Sequence, residues 1–205
     1  LTLPPRQSAA GGADIVSHIL EQYFSPTVAT VQDRLAEALL TVCRDQGPKT
    51  LDPGDDLQAR ADIMWASSLA LCGLIGAGKV HDWATHMIEH ELSAHYDLTH
   101  AVGLAILTPA WMTQVLDEDT APRLARFGHV MWGLDEHGGM DAARQTIECT
   151  RGFFSSLGLA STLAEEGIDD TRFEQMATDV TARGPIGGFK KLDRDDVLDI
   201  LDRCR

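Results

Sequence analysis

The sequence predicts an all-α domain. Apolar residues recur at spacings of three and four, prolines, glycines and helix-capping residues separate the segments, and no run of alternating β-branched residues occurs. With 205 residues, of which 44% are hydrophobic, the chain can bury a sizeable core. No linker-like stretch and no block of like charge divides it, so we expect one domain over residues 1–205.

The first two predicted helices cover about residues 8–24 and 27–45. Pro26 ends the first, because a proline disfavours the helical conformation in the residue before it. Gly47 and Pro48 end the second. The second helix is predicted from one apolar stripe at helical spacing, formed by Val28, Val31, Leu35, Leu39 and Val42.

The third predicted helix begins after Asp55 and Asp56, which are good capping residues, and extends to Gly76. It is apolar on nearly every face, and we therefore expect it to be the central buried helix. Its most apolar stretch, residues 64–78, is shorter than the roughly 18 residues that a membrane-spanning helix needs.

The fourth helix is predicted over about 82–96, with Asp82 as its N-cap. Asp97 and Thr99 offer a turn and a new cap for a fifth helix, about 100–116, in which Pro109 should produce a kink. Gly158 should end one of the later helices. These later helices are predicted near 121–134, 140–157, 169–182 and 193–203, with a glycine-rich loop at 184–188 between the last two.

Charge and cysteine usage narrow the class of protein. A formal net charge of −14 argues against binding to nucleic acid or to an anionic membrane surface, since both favour clusters of Lys and Arg. The four cysteines are scattered and form no CxxC pair, which favours reduced, mostly buried thiols in a cytoplasmic protein. These cysteines are Cys43, Cys72, Cys149 and Cys204.

Histidines and one aspartate suggest a cation site. Asp14 and His18 lie four residues apart on the first predicted helix, so their side chains share one face. His86 and His90 repeat that spacing, and His100 follows fourteen residues after His86. An unbroken helix would separate His86 from His100 by about 21 Å, too far for one metal site. The helix must therefore break, and residues 96–99 permit a turn that folds His100 back over His86.

Two other histidine motifs give weaker interpretations. His90-Glu91 followed by His95 is similar to the zincin motif, but that motif needs the second histidine at i+4 and here it lies at i+5. His81-Asp82 is similar to the metal-binding pair of HD-type phosphohydrolases, which leaves that enzyme class as a remote alternative. That family needs a further histidine a few dozen residues upstream, whereas the preceding histidine here is His18.

Longer stretches resemble the iron-containing alcohol dehydrogenase family, and within it the butanol dehydrogenases and NAD(P)H-dependent aldehyde reductases. The resemblance runs in order along most of the chain and weakens after about residue 115. Its clearest parts are residues 2–7, Asp14 and His18 with 21–23, residues 59–66, Gly-Leu-Ile-Gly-Ala-Gly at 73–78, Asp-Trp-Ala-Thr-His-Met-Ile-Glu-His-Glu-Leu at 82–92, and His100.

This resemblance implies the helical, metal-carrying half of a two-domain oxidoreductase. It implies that Asp14, His18, His86 and His100 hold Fe(II) or Zn(II), and that His90 lines the nicotinamide pocket and relays a proton. An N-terminal dinucleotide-binding domain, absent from this chain, would supply the rest of the NAD(P)H site. The expected substrates are small primary alcohols or aldehydes, and relatives of this kind commonly form homo-oligomers.

The sequence leaves a second class of function open. The chain could be a stand-alone helical domain, derived from such an enzyme, that binds metal or a partner without catalysis. The sequence lacks an initiator Met and begins Leu-Thr-Leu-Pro-Pro, as a piece of a longer protein would. The resemblance implies that the cofactor lies between the two domains, so we expect the isolated chain to bind metal and not to turn over an alcohol.

Overall fold

A computed structural model describes residues 2–51 and 56–205 and confirms the all-α class. The sequence signal at Asp55 falls outside these residues. Within these ranges the chain forms nine α-helices, and every predicted helix has a counterpart. They are α1 (Pro5–Tyr23), α2 (Thr30–Gln46), α3 (Leu57–Leu71), α4 (Ala84–Tyr96), α5 (His100–Val115), α6 (Ala121–Trp132), α7 (Gly139–Ser156), α8 (Phe173–Val180) and α9 (Arg194–Arg203).

The central buried helix is α5, and the prediction that the third helix would have this position is wrong. Thirteen residues of α5 are buried, and this helix packs against α1, α4, α7 and α9. The third helix, α3, ends at Leu71, and it buries only Ala59, Ala66 and Ala70. Its small alanines allow close packing on α1 and α2, while Met64 and Trp65 on the other side are 70% and 66% exposed. The apolar character of a helix surface therefore does not by itself show that the surface is buried in the core.

The apolar stripe that predicts α2 is not the buried face of that helix. Val28 and Val31 are 88% and 68% exposed, whereas Asp33 and Glu37 are buried. The two carboxylates are buried because cations from other parts of the chain pair with them. Lys79 and Arg123 contact Asp33 at 2.6 and 2.7 Å, and Arg126 contacts Glu37 at 2.9 Å. A buried ion pair of this kind reverses the face that hydrophobic spacing alone would choose.

Helix ends follow the predicted signals with small shifts. Gly158 adopts φ +78° just after α7, a conformation that favours glycine. Asp193 forms a capping box at the start of α9. Pro109 lies inside α5 as expected, and the kink there stays a prediction. The N-cap of α4 is Trp83 instead of Asp82, although the Asp82 carboxylate still accepts a hydrogen bond from the N–H of Ala84 at 3.0 Å.

The cysteines are all free, as predicted, but fewer are buried than expected. Cys43 and Cys204 are buried, Cys149 is partly exposed, and Cys72, the residue directly after α3, is exposed. Among the described residues, none of the helices combines the length and the apolar character required to cross a bilayer.

Two helical glycines make a matched test of the packing between α6 and α7. A methyl group on Gly128 of α6 would overlap the Thr146 hydroxyl of α7, whereas one on Gly152 of α7 would meet nothing within 4 Å. We expect Gly128→Ala to lower the free energy of unfolding by about 1–3 kcal/mol through overpacking. Gly152→Ala should raise it by about 0.5–1 kcal/mol, because alanine is the better helix former. Urea unfolding of both variants measures this, and equal effects would show that the packing is misplaced.

Candidate metal centre

Three helices bring the predicted ligand residues to one side of the molecule. Asp14 and His18 lie one turn apart on α1, His86 lies in the first turn of α4, and His100 is the first residue of α5. The predicted break between His86 and His100 is confirmed. Helix α4 ends at Tyr96, and the next residue, Asp97, has a left-handed φ of +53° that turns the chain into α5.

The side chains of these residues lie close together. One ligand atom each from Asp14, His18 and His86 lies within 4.8 Å of the others. The ring centroids of His18 and His86 are 4.3 Å apart, and those of His86 and His100 are 5.3 Å apart. His100 joins the group through its Nε2 atom, which is 3.8 Å from Oδ1 of Asp14. One carboxylate and two imidazoles therefore share one small volume, and His100 borders it. The ligand atoms of His100 also lie within 4.8 Å of those of Glu89 and His90.

Buried polar atoms in this group lack hydrogen-bond partners. Among the described residues, Oδ1 of Asp14, Nδ1 of His18 and Nε2 of His86 are all buried and make no hydrogen bond. Native proteins satisfy nearly all buried polar atoms, so three such atoms in one cluster need an explanation. A cation held by carboxylate oxygen and imidazole nitrogen would satisfy the Asp14 oxygen and a nitrogen of each ring. The donor set therefore fits a divalent cation of the transition-metal type.

Burial also favours the neutral imidazoles that a cation needs. Desolvation, followed by the neighbouring His86, lowers the pKa of His18. Desolvation and the charges of His100 and His86 likewise lower the pKa of His90. A metal binds the neutral imidazole, so an environment that opposes protonation prepares the cluster for a cation.

His90 lies at the solvent-facing edge of the cluster. Its ring stacks on that of His100 at a centroid distance of 5.5 Å and lies 6.4 Å from that of His86. Its side chain is exposed, whereas His86 is buried. This position differs from those of the four residues above and leaves the imidazole of His90 accessible to a bound small molecule.

Trp83 forms a wall of the cluster that sequence reasoning did not identify. Its ring packs edge-on against His18 at 5.7 Å and against His86 at 5.2 Å. Its backbone has φ +62°, an uncommon conformation for a bulky residue that is often associated with functional sites. The indole therefore shields two imidazoles from water on one side. Nothing in the sequence around Trp83 indicates that its side chain packs against these two histidines.

Sequence reasoning also missed two buried glutamates. Glu21 of α1 contacts Nδ1 of His86, and Glu89 of α4 contacts Nδ1 of His100. Burial raises the pKa of Glu89, while hydrogen bonds from Ser93 and His100 oppose that rise. Each glutamate lies three residues after a predicted ligand, His18 or His86, on the same helix face. That i, i+3 spacing is the signal that could have identified them.

The side chains of His81 and Asp82 make hydrogen bonds that hold the surrounding backbone in place. The His81 ring contacts the Gly76 carbonyl at 2.9 Å and accepts from the indole N–H of Trp83 at 3.3 Å. Both Asp82 oxygens accept backbone N–H groups, and burial raises the pKa of Asp82 to about 6. Among the described residues, neither His81 nor Asp82 belongs to a group of three or more potential ligand residues, so the geometry does not support the phosphohydrolase alternative.

A third group of potential ligands contains His95, the residue that makes the zincin-like motif. Glu91 and His95 on α4 and Asp179 on α8 offer ligand atoms within 4.8 Å of one another. The guanidinium of Arg172 lies 3.5 Å from Nδ1 of His95, and its positive charge disfavours a cation there. Asp179 is exposed, so water can solvate its carboxylate. We therefore interpret this group as charged surface residues that interact with one another and with water.

Asp82 holds the loop after α8 against the start of α4. Its Oδ2 atom accepts hydrogen bonds from Gly188 at 3.0 Å and Phe189 at 2.8 Å. We expect Asp82→Ala to speed hydrogen exchange at these two amides about tenfold or more, since a buried N–H without an acceptor costs about 1–3 kcal/mol. Asp169→Ala is the control, because Asp169 accepts from a backbone N–H in an exposed turn. Unchanged exchange at Gly188 and Phe189 would show that Asp82 does not hold the loop.

These observations define the class of protein. It is a helical domain that carries an imidazole-rich cluster at one face. The family model described as "Fe-containing alcohol dehydrogenase family, C-terminal" matches residues 8–204. The chain therefore belongs to the Fe-containing alcohol dehydrogenase family and corresponds to its C-terminal part.

Individual relatives agree with this assignment. The chain is 46% identical to NADH-dependent butanol dehydrogenase A of Clostridium acetobutylicum, over 98% of this chain and 53% of the relative. It is 39% identical to NADPH-dependent aldehyde reductase YqhD of Escherichia coli, over 89% of this chain and 47% of the relative. Among solved structures, the substrate- and cofactor-free form of YqhD superimposes with a TM-score of 0.93 at 35% identity, over 100% of this chain and 54% of that one. The chain thus spans about half the length of these relatives.

Proposed function

We propose that this chain is the metal-carrying domain of an alcohol dehydrogenase or aldehyde reductase, which transfers hydride between NAD(P) and a primary alcohol or aldehyde. The observation that carries this proposal is the convergence of Asp14, His18, His86 and His100, with buried ligand atoms that make no hydrogen bond among the described residues. The names of the relatives support the reaction class, since they include NADH-dependent butanol dehydrogenases and an NADPH-dependent aldehyde reductase.

The four proposed ligands favour Fe(II) or Zn(II). Imidazole nitrogen suits these borderline cations, whereas Mg²⁺ and Ca²⁺ prefer sites made of oxygen atoms. The chemistry that such an ion supplies is Lewis-acid polarisation of the substrate's oxygen atom. The protein's own part is to fix the four donors on helices α1, α4 and α5, which are held together by a buried core.

Neighbouring residues would prepare the space for the reacting molecules. Trp83 covers one side of the cluster and keeps water from His18 and His86. His90 is exposed beside His100, where its imidazole can face the nicotinamide and carry a proton between the substrate and solvent. The nicotinamide would supply the redox chemistry, so the chain's own part is to orient the two reactants and restrict access of water.

An apolar groove beside Asp14 suggests where the dinucleotide-binding half would pack against this chain. The groove has a volume of about 640 Å³ and lies between α1 and α3, where it is lined by Gly11, Gly12, Ile63 and Met64. The exposed residues of α3 continue this surface away from the cluster. A second domain on this side would cover the apolar residues and enclose NAD(P) next to the proposed metal ligands.

The isolated chain is expected to bind the cation and to lack turnover, because that second half would complete the cofactor site. A cytoplasmic location and homo-oligomer formation stay predictions. The alternative of a stand-alone metal-binding or interaction domain also stays open. The gene's full reading frame distinguishes the two, since a preceding glycine-rich strand–loop–helix segment is required by the enzyme and not by the stand-alone domain.

His86→Ala should abolish tight binding of one divalent cation per chain and leave the helical fold intact. His86 is the buried imidazole of the cluster, and its loss removes one of four proposed donors. Metal analysis after dialysis and calorimetric titration with Zn(II) measure the effect. The wild-type chain should also gain about 2.7 kcal/mol of stability at a free cation concentration of 100 times Kd, and the variant should not.

His137→Ala is the matched control. The side chain of His137 is 87% exposed and lies outside the three helices that form the cluster, so this variant should keep the wild-type metal content. Equal metal content in wild type, His86→Ala and His137→Ala would refute the proposed site.

A further inference from the structure

Two buried glutamates control the imidazoles that would bind the cation. The carboxylates of Glu21 and Glu89 contact the Nδ1 atoms of His86 and His100, and the two residues are only 2% and 0% exposed. We propose that Glu21 and Glu89 are positioning residues, which fix the proton of each ring on Nδ1 and present Nε2 to the metal. This inference rests on the proposed function, because it assumes that these two histidines are ligands.

The hydrogen bonds of Glu21 determine which atom faces His86. Oε1 of Glu21 accepts from the backbone N–H groups of Thr85 at 2.8 Å and His86 at 3.2 Å, and from the Thr85 hydroxyl. Oε2 is left for Nδ1 of His86. A carboxylate only accepts hydrogen bonds, so Nδ1 must donate, and in the neutral ring Nε2 then carries the lone pair. Nε2 of His86 is the buried atom that makes no hydrogen bond among the described residues.

Glu21 also explains how α4 begins. The N-cap of that helix, Trp83, provides no side-chain cap, and the free N–H groups of the first turn point to Glu21 instead. The backbone carbonyl of Glu21 accepts a further hydrogen bond from Asp82 at 2.8 Å. One residue of α1 therefore caps α4 and orients its histidine, which joins the start of α4 to the helix that carries Asp14 and His18.

Glu89 holds His100 in a similar way but with different partners. Its Oε1 atom accepts from the Ser93 hydroxyl at 2.6 Å, while Oε2 contacts Nδ1 of His100. The close approach of α5 depends on Gly103, because a Cβ atom there would lie 2.7 Å from Cγ of Glu89 and 2.8 Å from its Oε1. The glycine therefore leaves the space that the glutamate needs to reach His100.

The different partners predict different effects of glutamine at the two positions. In Glu21→Gln, the amide oxygen must stay with the three donors, so the amide N–H₂ faces Nδ1 of His86 and forces the ring proton onto Nε2. In Glu89→Gln, the Ser93 hydroxyl can accept from the amide while donating to the Leu98 carbonyl, 3.1 Å away. The amide oxygen can then stay on His100, and its tautomer is kept.

Tautomer and affinity are measured on the full chain. Long-range ¹H–¹⁵N spectra of the metal-free protein report which ring nitrogen of each histidine carries the proton, and Zn(II) calorimetry reports affinity. We expect His86 to be protonated on Nδ1 in the wild type and on Nε2 in Glu21→Gln, with Zn(II) binding weakened about 10–100-fold. Glu89→Gln should keep both properties. Glu37→Gln is the matched control, because Glu37 is buried but bonds to Tyr23 and arginines away from the cluster.

Each result has a defined consequence. A neutral wild-type His86 ring that is protonated on Nε2 overturns the role of Glu21. A folded Glu21→Gln with unchanged tautomer and affinity overturns it as well. The wild-type spectrum decides this even if the variant does not fold. Gly103→Ala, which displaces Glu89, should weaken Zn(II) binding, and unchanged binding overturns the role of Glu89. A wild-type chain that binds no Zn(II) instead overturns the proposed function, while its spectrum still tests the tautomers.

Discussion

The contact between Glu21 and the first turn of α4 is the interaction on which the cluster depends. It satisfies backbone N–H groups at a helix end, satisfies the Nδ1 atom of His86, and ties α4 to α1 within the buried core. A carboxylate at a helix N-terminus is favoured by the helix dipole as well as by these hydrogen bonds. Without it, the ring of His86 would lose the hydrogen bond that fixes Nδ1, and with it the orientation of the ring beside Asp14 and His18.

The turn between α4 and α5 is the second feature that positions the residues of the cluster. The left-handed conformation of Asp97 reverses the chain, and Gly103 lets α5 approach Glu89. The fold then uses its most buried helix to support His100. Function and stability share these residues, because the α5 helix that anchors a proposed ligand is also the centre of the core.

The sequence predicts local features well and long-range pairings poorly. Helical spacing and breaker residues were enough to locate the helices, and the distance argument between His86 and His100 was enough to require the turn at Asp97. The buried face of α2 could not be predicted, because Asp33 is buried only when Lys79 and Arg123 reach it from distant parts of the chain. The exposed face of α3 could not be predicted either, because it also depends on long-range packing. Trp65 is apolar, but its side chain is left 66% exposed by the residues that the structure describes.

The same distinction applies to the candidate metal centre. The pattern of Asp14 and the histidines, together with the family resemblance, singled out residues that the structure brings close together. The roles of Glu21 and Glu89 could not be read from spacing alone, because a glutamate three residues after a histidine is common on solvated helix faces. Only the packing of α1 against α4 and of α4 against α5 shows that these two carboxylates are buried against the imidazoles.

Anomalous scattering at the iron and zinc edges, from crystals of this chain grown with each metal, tests the central claim most directly. We predict one strong peak per chain, bounded by the carboxylate of Asp14 and the Nε2 atoms of His86 and His100, with His18 completing the set. A peak at Glu91, His95 and Asp179, or a metal-loaded crystal whose ion contacts none of the four proposed ligands, would contradict the account.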